Sequence, residues 1–170
     1  MDTLTAIRKR RSIRRYLDTP VEDEKLQQVL EAARLAPSAR NRQEWKFVVV
    51  RDQAVKDKLA ESTKHKFIAT APIIIAGVGL TPDSVMRCDV PTDAVDLAIA
   101  MANITLAATS LGLGTCWIGG FEQDLAREAL GVPEKYKIVE LLSLGYPAEQ
   151  PEARSRKELS EIVCYDRFTE

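Results

Sequence analysis

The sequence is poor in histidine and cysteine, two of the residue types on which metal centres and hydrolytic sites most often depend. It holds one histidine, His65, and three cysteines, Cys88, Cys116 and Cys164, among 170 residues. The cysteines are far apart and no CxxC occurs, which excludes a disulfide framework and a thiolate zinc site and predicts a reduced, cytoplasmic chain. Aromatic residues make up 6% and do not interleave with the basic ones, and the pI is near 6.0; both count against a general nucleic-acid binder. No long hydrophobic run is present. The most apolar stretch, ATAPIIIAGVGL from Ala69 to Leu80, is too short to span a bilayer, and MDTLTAIRKRR lacks the apolar core of a secretory signal, so no membrane partner is expected. There is no GxGxxG after a strand, which argues against a Rossmann unit.

What the chain does have is concentrated charge. Its formal net charge is only −1, yet six of the eight residues from Arg8 to Arg15 are Arg or Lys. A second basic group, Arg154, Arg156 and Lys157 in EARSRKE, lies near the other end of the chain. Folding can bring the two together, and arginine binds phosphate through a planar fork that lysine lacks. Ser12 adds a hydroxyl within the first cluster. The plainer reading of either run is a solvated charged surface.

The periodicities predict interspersed helices and strands with no repeat and no interior linker. Asp2 or Thr3 can cap a short helix from Leu4 to about Arg10, with Arg8 and Lys9 on its exposed side. Leu26, Val29, Leu30 and Ala33 mark an amphipathic helix that Pro37 stops. Lys46–Arg51 and Pro72–Val78 are strands, the second apolar on both faces and so central. Gln53–Ser62 is a weaker helix. Asp93–Leu111 is a long helix apolar almost all round, ended by Gly112 and Gly114. TCWIGGF is a strand running into a glycine turn, Asp124–Leu130 a short helix, and Lys137–Leu144 a fourth strand. From about Pro151 the chain is expected to be extended, with one helical turn at Lys157–Ile162. His65 is expected on a helix surface, and Trp45 and Trp117 in the core.

Two further segments bear on chemistry. Gly119 and Gly120 let backbone N–H groups approach a flat ligand, although an ordinary tight turn uses the same residues. In the loop PSARNRQEW, the amides of Asn41 and Gln43 suit the edge of a heterocycle, and they also suit plain loop chemistry.

Taken in order, RRSIRRY, PSARNRQEWKF, SLGLGTCWIGGF, LLSLGYPAE and the late RSR resemble the FMN-dependent nitroreductase family over nearly the whole chain. The resemblance implies an α+β fold, a central mixed β-sheet flanked by helices, in one domain over residues 1–170 with an extended C-terminal segment from about 151. It implies an intertwined homodimer with two FMN molecules at the subunit interface. Arg10, Arg11, Ser12 and Arg14 match the positions that grip the phosphate and the flavin pyrimidine edge. Pro37, Ser38, Ala39 and Asn41 match the loop contributed by the partner subunit. Ile118, Gly119 and Gly120 match the turn near flavin N5, and Arg154 and Arg156 match the C-terminal phosphate pair. Gln43-Glu44-Trp45 stands where many members have Gln-Pro-Trp, and Gly119 stands where some have Glu. Lys66 stays outside the site set because Thr63 replaces an expected Asn. The chain is also short between Ala76 and Asp93, where a lid often covers the flavin.

The implied function is an oxidoreductase that takes hydride from NAD(P)H and reduces nitroaromatic, quinone or similar acceptors in ping-pong fashion, with Arg14 as the cation beside the reduced flavin. The cofactor supplies the reacting atom, so no catalytic side chain is assigned. Other flavin chemistry on the same fold, such as reductive dehalogenation, stays open. So do a flavin carrier without turnover and a basic-arm module for nucleic acid or an acidic partner.

Overall fold

The computed structural model describes residues 1–170. Helix α1, Thr3–Lys9, is capped by Asp2, whose carboxylate accepts the Thr5 N–H at 3.0 Å. Helix α2, Asp23–Arg34, buries Leu26, Val29 and Ala33, the face its spacing predicts. The chain then runs through a 3-10 turn, Ala39–Asn41, into β1, Trp45–Val50, α3, Gln53–Glu61, a second 3-10 turn, Lys66–Thr70, and β2, Ile73–Gly79. Helix α4, Thr92–Ser110, follows, then β3, Gly114–Ile118, α5, Gln123–Leu130, β4, Lys137–Gly145, and a single turn, α6, Leu159–Ile162. Gly112 (φ 77°) and Gly131 (φ 63°) take the left-handed conformation that reverses the chain after α4 and α5.

The sheet order is β1-β2-β4-β3. All three pairings are antiparallel; the parallel component expected of a mixed sheet is confined to an isolated bridge between Ser12 and Thr115. Every residue of β2 is buried because helices cover both faces. Ile73 and Ile75 face the cluster built with α2 and α4, which includes Val29, Ala33, Met101, Ile104 and Leu142. Ile74, Ala76 and Val78 face the opposite cluster with Leu59, Ile68, Ala126 and Leu141, under α3 and α5. Strand alternation therefore distributes one apolar run between two cores.

Three expectations need correction. Trp117 is 41% exposed, because β3 lies at the sheet edge, although its register partner Leu142 on the same face is buried in the α2/α4 cluster. Trp45 is half-buried and packs at the margin of the α2/α4 cluster. His65 is exposed, but it sits before the 3-10 turn rather than on an α-helix.

Candidate functional site

Residues 12–17 are stitched into the edge of the sheet by backbone hydrogen bonds. The Ile13 N–H donates to the Thr115 carbonyl at 2.9 Å, the Leu17 N–H to Tyr146 at 2.9 Å, and the Ala148 N–H to Arg15 at 2.9 Å. Gly114 makes the approach possible: a Cβ there would lie 2.6 Å from Ile13 Cγ1. Tyr16 is half-buried with its hydroxyl 2.7 Å from both the Ile13 carbonyl and Ser143 Oγ, and desolvation of that hydroxyl pushes its pKa upward.

Glu149 fixes the same segment from the other side. One carboxylate oxygen accepts the Arg14 N–H at 2.6 Å and the Arg15 N–H at 3.2 Å, and the other accepts Arg15 Nε at 3.1 Å. These bonds, the Arg14 N–H foremost, hold its carboxyl below the usual range. With both backbone donors and Arg15 tied to Glu149, the Arg14 side chain is left to face the cleft.

That cleft, of about 420 Å³, lies between the two ends of the chain. The first basic segment contributes Arg8, Arg10, Arg11, Ser12 and Arg14, and the C-terminal segment contributes Arg154 and Arg156. None of these six arginines is in the protein's ion pairs; Glu152 is the one carboxylate on the lining. Arg11 is partly committed. Its Nη1 donates to the carbonyls of Arg8 and Arg10 at 2.7 and 2.9 Å, closing the end of α1, while its buried Nε has no partner. Arg8, expected to point away, lines the cleft; Lys9 does not. So much guanidinium free of ion pairs in one concavity suits an anion.

The other candidate residues are elsewhere. Ile118 ends β3 and Gly119 and Gly120 follow it, three to five residues from the Thr115 that pairs with Ser12, hence about 10–17 Å along the strand from the basic cleft. The glycine turn is clamped by Thr63, whose Oγ1 donates to the Gly120 carbonyl at 2.7 Å. His65 stands over the same turn, with Nε2 3.9 Å from where a Gly120 Cβ would be. Lys66 turns inward to donate to the Ala60 carbonyl at 2.7 Å.

The loop of Pro37, Ser38, Ala39 and Asn41 does not reach the cleft of its own chain. It is held open in an unusual form. Arg40, Asn41 and Gln43 all have positive φ (53°, 54° and 55°). The buried Asp96 accepts the Ala39 N–H with both oxygens at 3.1 Å, and Ser38 Oγ accepts the Gln43 N–H at 3.0 Å. Three left-handed non-glycine residues in one turn are stored strain of a kind found at ligand sites.

Glu149 and Asp96 shape the site without any expectation from the sequence, and Arg8 lines it against the expectation of an exposed side. Glu149 belongs to LGYPAE, but its partners lie 135 and 134 residues away in the chain. Asp96 had a signal, an acid on the apolar helix α4.

An antiparallel sheet clothed by helices, with a cationic cleft at one edge strand and a glycine turn further along it, is an arrangement that suits an elongated ligand with an anionic end. The chain matches the Nitroreductase family over residues 7–73 and 62–146, and it belongs to that family. An NADH dehydrogenase of Thermus thermophilus is 32% identical over 197 aligned positions, covering 97% of this chain and 96% of that protein. An FMN-dependent nitroreductase from Clostridium difficile R20291 superposes with a TM-score of 0.85 at 32% identity, covering 97% of this chain and 99% of that one. The NADPH:FMN oxidoreductase of Vibrio harveyi complexed with NAD+ superposes with a TM-score of 0.90 at 28% identity, over 99% of this chain and 78% of that one.

Proposed function

We propose that the protein is an FMN-dependent oxidoreductase, a homodimer acting in the cytoplasm. It would take hydride from NAD(P)H and pass electrons to nitroaromatic, quinone or similar small acceptors, with the whole chain serving as one FMN-binding unit. The observation that carries this reading is the cleft where both chain ends place unpaired arginines. The residues fit the group. A phosphate dianion needs several donors in forked geometry, and the cleft supplies Arg10, Ser12, Arg154 and Arg156, with the orphaned Nε of Arg11 beside them.

Bound FMN would supply the hydride-accepting and hydride-donating ring. The chain's own residues hold and orient it. Arg10, Arg11, Arg154 and Arg156 neutralise the phosphate, and Ser12 donates its hydroxyl to it. Arg14 places a fixed cation toward the ring, where it favours the reduced form. Gly119 and Gly120 leave the ring a side-chain-free edge, since no heavy atom lies within 4 Å of a Cβ built at Gly119, and Ile118 lends its backbone there while its side chain stays buried. Pro37, Ser38, Ala39 and Asn41, which stand apart from the cleft in one chain, act on the flavin of the second copy. The exposed indole of Trp117 beside the turn gives an aromatic acceptor a flat surface.

The test is direct. Purified protein given FMN and desalted should keep one yellow flavin per chain. Steady-state rates with NAD(P)H and menadione should give parallel double-reciprocal lines, because one site serves two substrates in turn. Colourless protein after reconstitution defeats the proposal, and intersecting lines defeat its single-site form.

A further inference from the structure

A second cationic cleft, separate from the one between the chain termini, lies against the strained loop. It encloses about 290 Å³ and is lined by Arg40 and Arg42 of that loop and by Ser84, Arg87 and Thr92 from the segment before α4. No carboxylate lines it. Arg40 and Arg87 are in no ion pair. Arg42 has one weak partner, Glu44, at 3.8 Å. The hydroxyls of Ser84 and Thr92 lie 3.2 Å apart at the wall. Like charges exposed without acids to separate them repel, and here the backbone itself is set against relief: Arg40 is fixed at φ 53°, a conformation that costs an arginine free energy. Asp96 anchors this turn through the Ala39 N–H.

We propose that this cleft binds the 2′-phosphate of a pyridine nucleotide and makes NADPH the preferred donor over NADH. The inference rests on the flavin reading for the identity of the nucleotide. The loop that presents Arg40 is the one assigned above to the second copy's flavin, so a donor reaching that flavin passes beside the cleft. A phosphomonoester carries a charge of about −1.5 to −2 at neutral pH, more than either phosphate of a diphosphate bridge, and suits a compact cluster of guanidinium and hydroxyl donors. The diphosphate is common to NADH and NADPH; the monoester is not. Recognition of this kind discriminates because only the monoester gains the charge-assisted bonds to these guanidinium groups.

The experiment uses the FMN-loaded dimer and two inert fragments, adenosine 2′,5′-bisphosphate and adenosine 5′-monophosphate, titrated calorimetrically at fixed ionic strength. The bisphosphate should bind about tenfold or more tightly than the monophosphate, and Arg40→Ala and Arg87→Ala should each remove about three- to tenfold of that difference. The ratio of kcat/KM for NADPH over NADH should fall in parallel, with flavin content unchanged in Arg87→Ala, which lies outside the flavin loop. Equal binding of the two fragments by the wild type, or a preference that survives both substitutions, overturns the inference while leaving a flavin-loaded enzyme intact. Protein that takes up no FMN but keeps the bisphosphate preference upholds the phosphomonoester site and overturns the flavin reading instead.

Discussion

The carboxylate of Glu149 accepts the backbone N–H of Arg14 at 2.6 Å across 135 residues of sequence. That bond, with the two to Arg15, sets the direction of the whole basic segment. Glu149→Ala should therefore destabilise the fold by about 1–2 kcal/mol and also weaken FMN binding, although the carboxylate would repel a phosphate if it touched one. The folded pKa of Glu149 is lowered from 4.5. Its contribution is thus complete above the ordinary carboxylate range and is lost as pH falls below 4.5 through the folded value. Urea unfolding from pH 7 to pH 3.5 should show the wild type losing its advantage over Glu149→Ala. An FMN affinity that rises in the variant would mean the carboxylate opposes the ligand rather than arranging its site.

The arginines should separate by task. Removing one phosphate partner costs a charge-assisted hydrogen bond of about 1.5–3 kcal/mol, so Arg156→Ala should weaken FMN about ten- to a hundredfold. Arg8→Ala should also weaken it, by a smaller factor, because Arg8 lines the cleft, and Lys9→Ala should not. Arg14→Ala should lower the flavin midpoint potential more than it lowers affinity. Fluorescence-quenching titrations and redox titrations of the four variants check this. Equal, slight effects from all four would make the cleft a solvated charged face.

Much of this arrangement was legible in the sequence. Leu26, Val29 and Ala33 gave α2 its buried face, PIIIAGV read correctly as a strand covered on both sides, and the two arginine runs announced a shared cleft. What could not be read is set by contacts distant in sequence. Nothing local to Glu149 reveals that it meets Arg14, and nothing in RKRR says that Arg8 turns toward Arg154. Trp117 was misplaced because an apolar strand looks the same at the edge of a sheet as at its centre. The loop around Asn41 read as polar, but its three positive φ angles depend on the grip of Asp96. Two acids on apolar elements were signals of this kind: Asp96 on α4, and Glu140, which interrupts the apolar run KIVELLSL at an inward position.

That glutamate gives a prediction about pH. Glu140 is 1% exposed on β4, both its oxygens lack hydrogen-bond partners, and buried Asp93 is its charged neighbour. Gly77 makes room for it, since a Cβ there would lie 2.6 Å from Glu140 Oε1, and Gly79 does the same for Asp93. Burial first, and then the charge of Asp93, pushes the Glu140 pKa up to about 8. The folded state therefore keeps a proton that the unfolded chain releases above 4.5. Stability should fall as pH rises from that value toward 8, with a limiting slope of ~1.4 kcal/mol per pH unit from this one group. Glu140→Gln keeps the shape and removes the titration, so its melting temperature relative to wild type should rise between pH 6 and pH 9. Parallel pH profiles would show that Glu140 is ionised throughout. Gly77→Ala should be strongly destabilising at every pH, because the clash is with a buried side chain.

The last prediction concerns the final twenty residues. Beyond Pro151 every residue is exposed, including Leu159 (74%), Tyr165 (86%) and Phe168 (84%). An extended segment with that many bare apolar side chains does not hold itself in place; its burial must come from another surface. The same segment carries Arg154 and Arg156 into the cleft. Oligomerisation and cofactor binding should therefore be lost together. A chain ending at Gln150 keeps both hydrophobic clusters, whose members all precede that point, so it should remain folded by circular dichroism. It should nevertheless lose FMN at micromolar concentration, and light scattering should show a monomer or a weakened dimer. The intermediate variant Tyr165→Ser/Phe168→Ser keeps both arginines. It should shift the monomer–dimer equilibrium toward monomer and reduce FMN affinity only to the extent that dimer is lost, which titration at two protein concentrations resolves. A truncated chain that stays dimeric and yellow would place both the interface and the phosphate grip elsewhere.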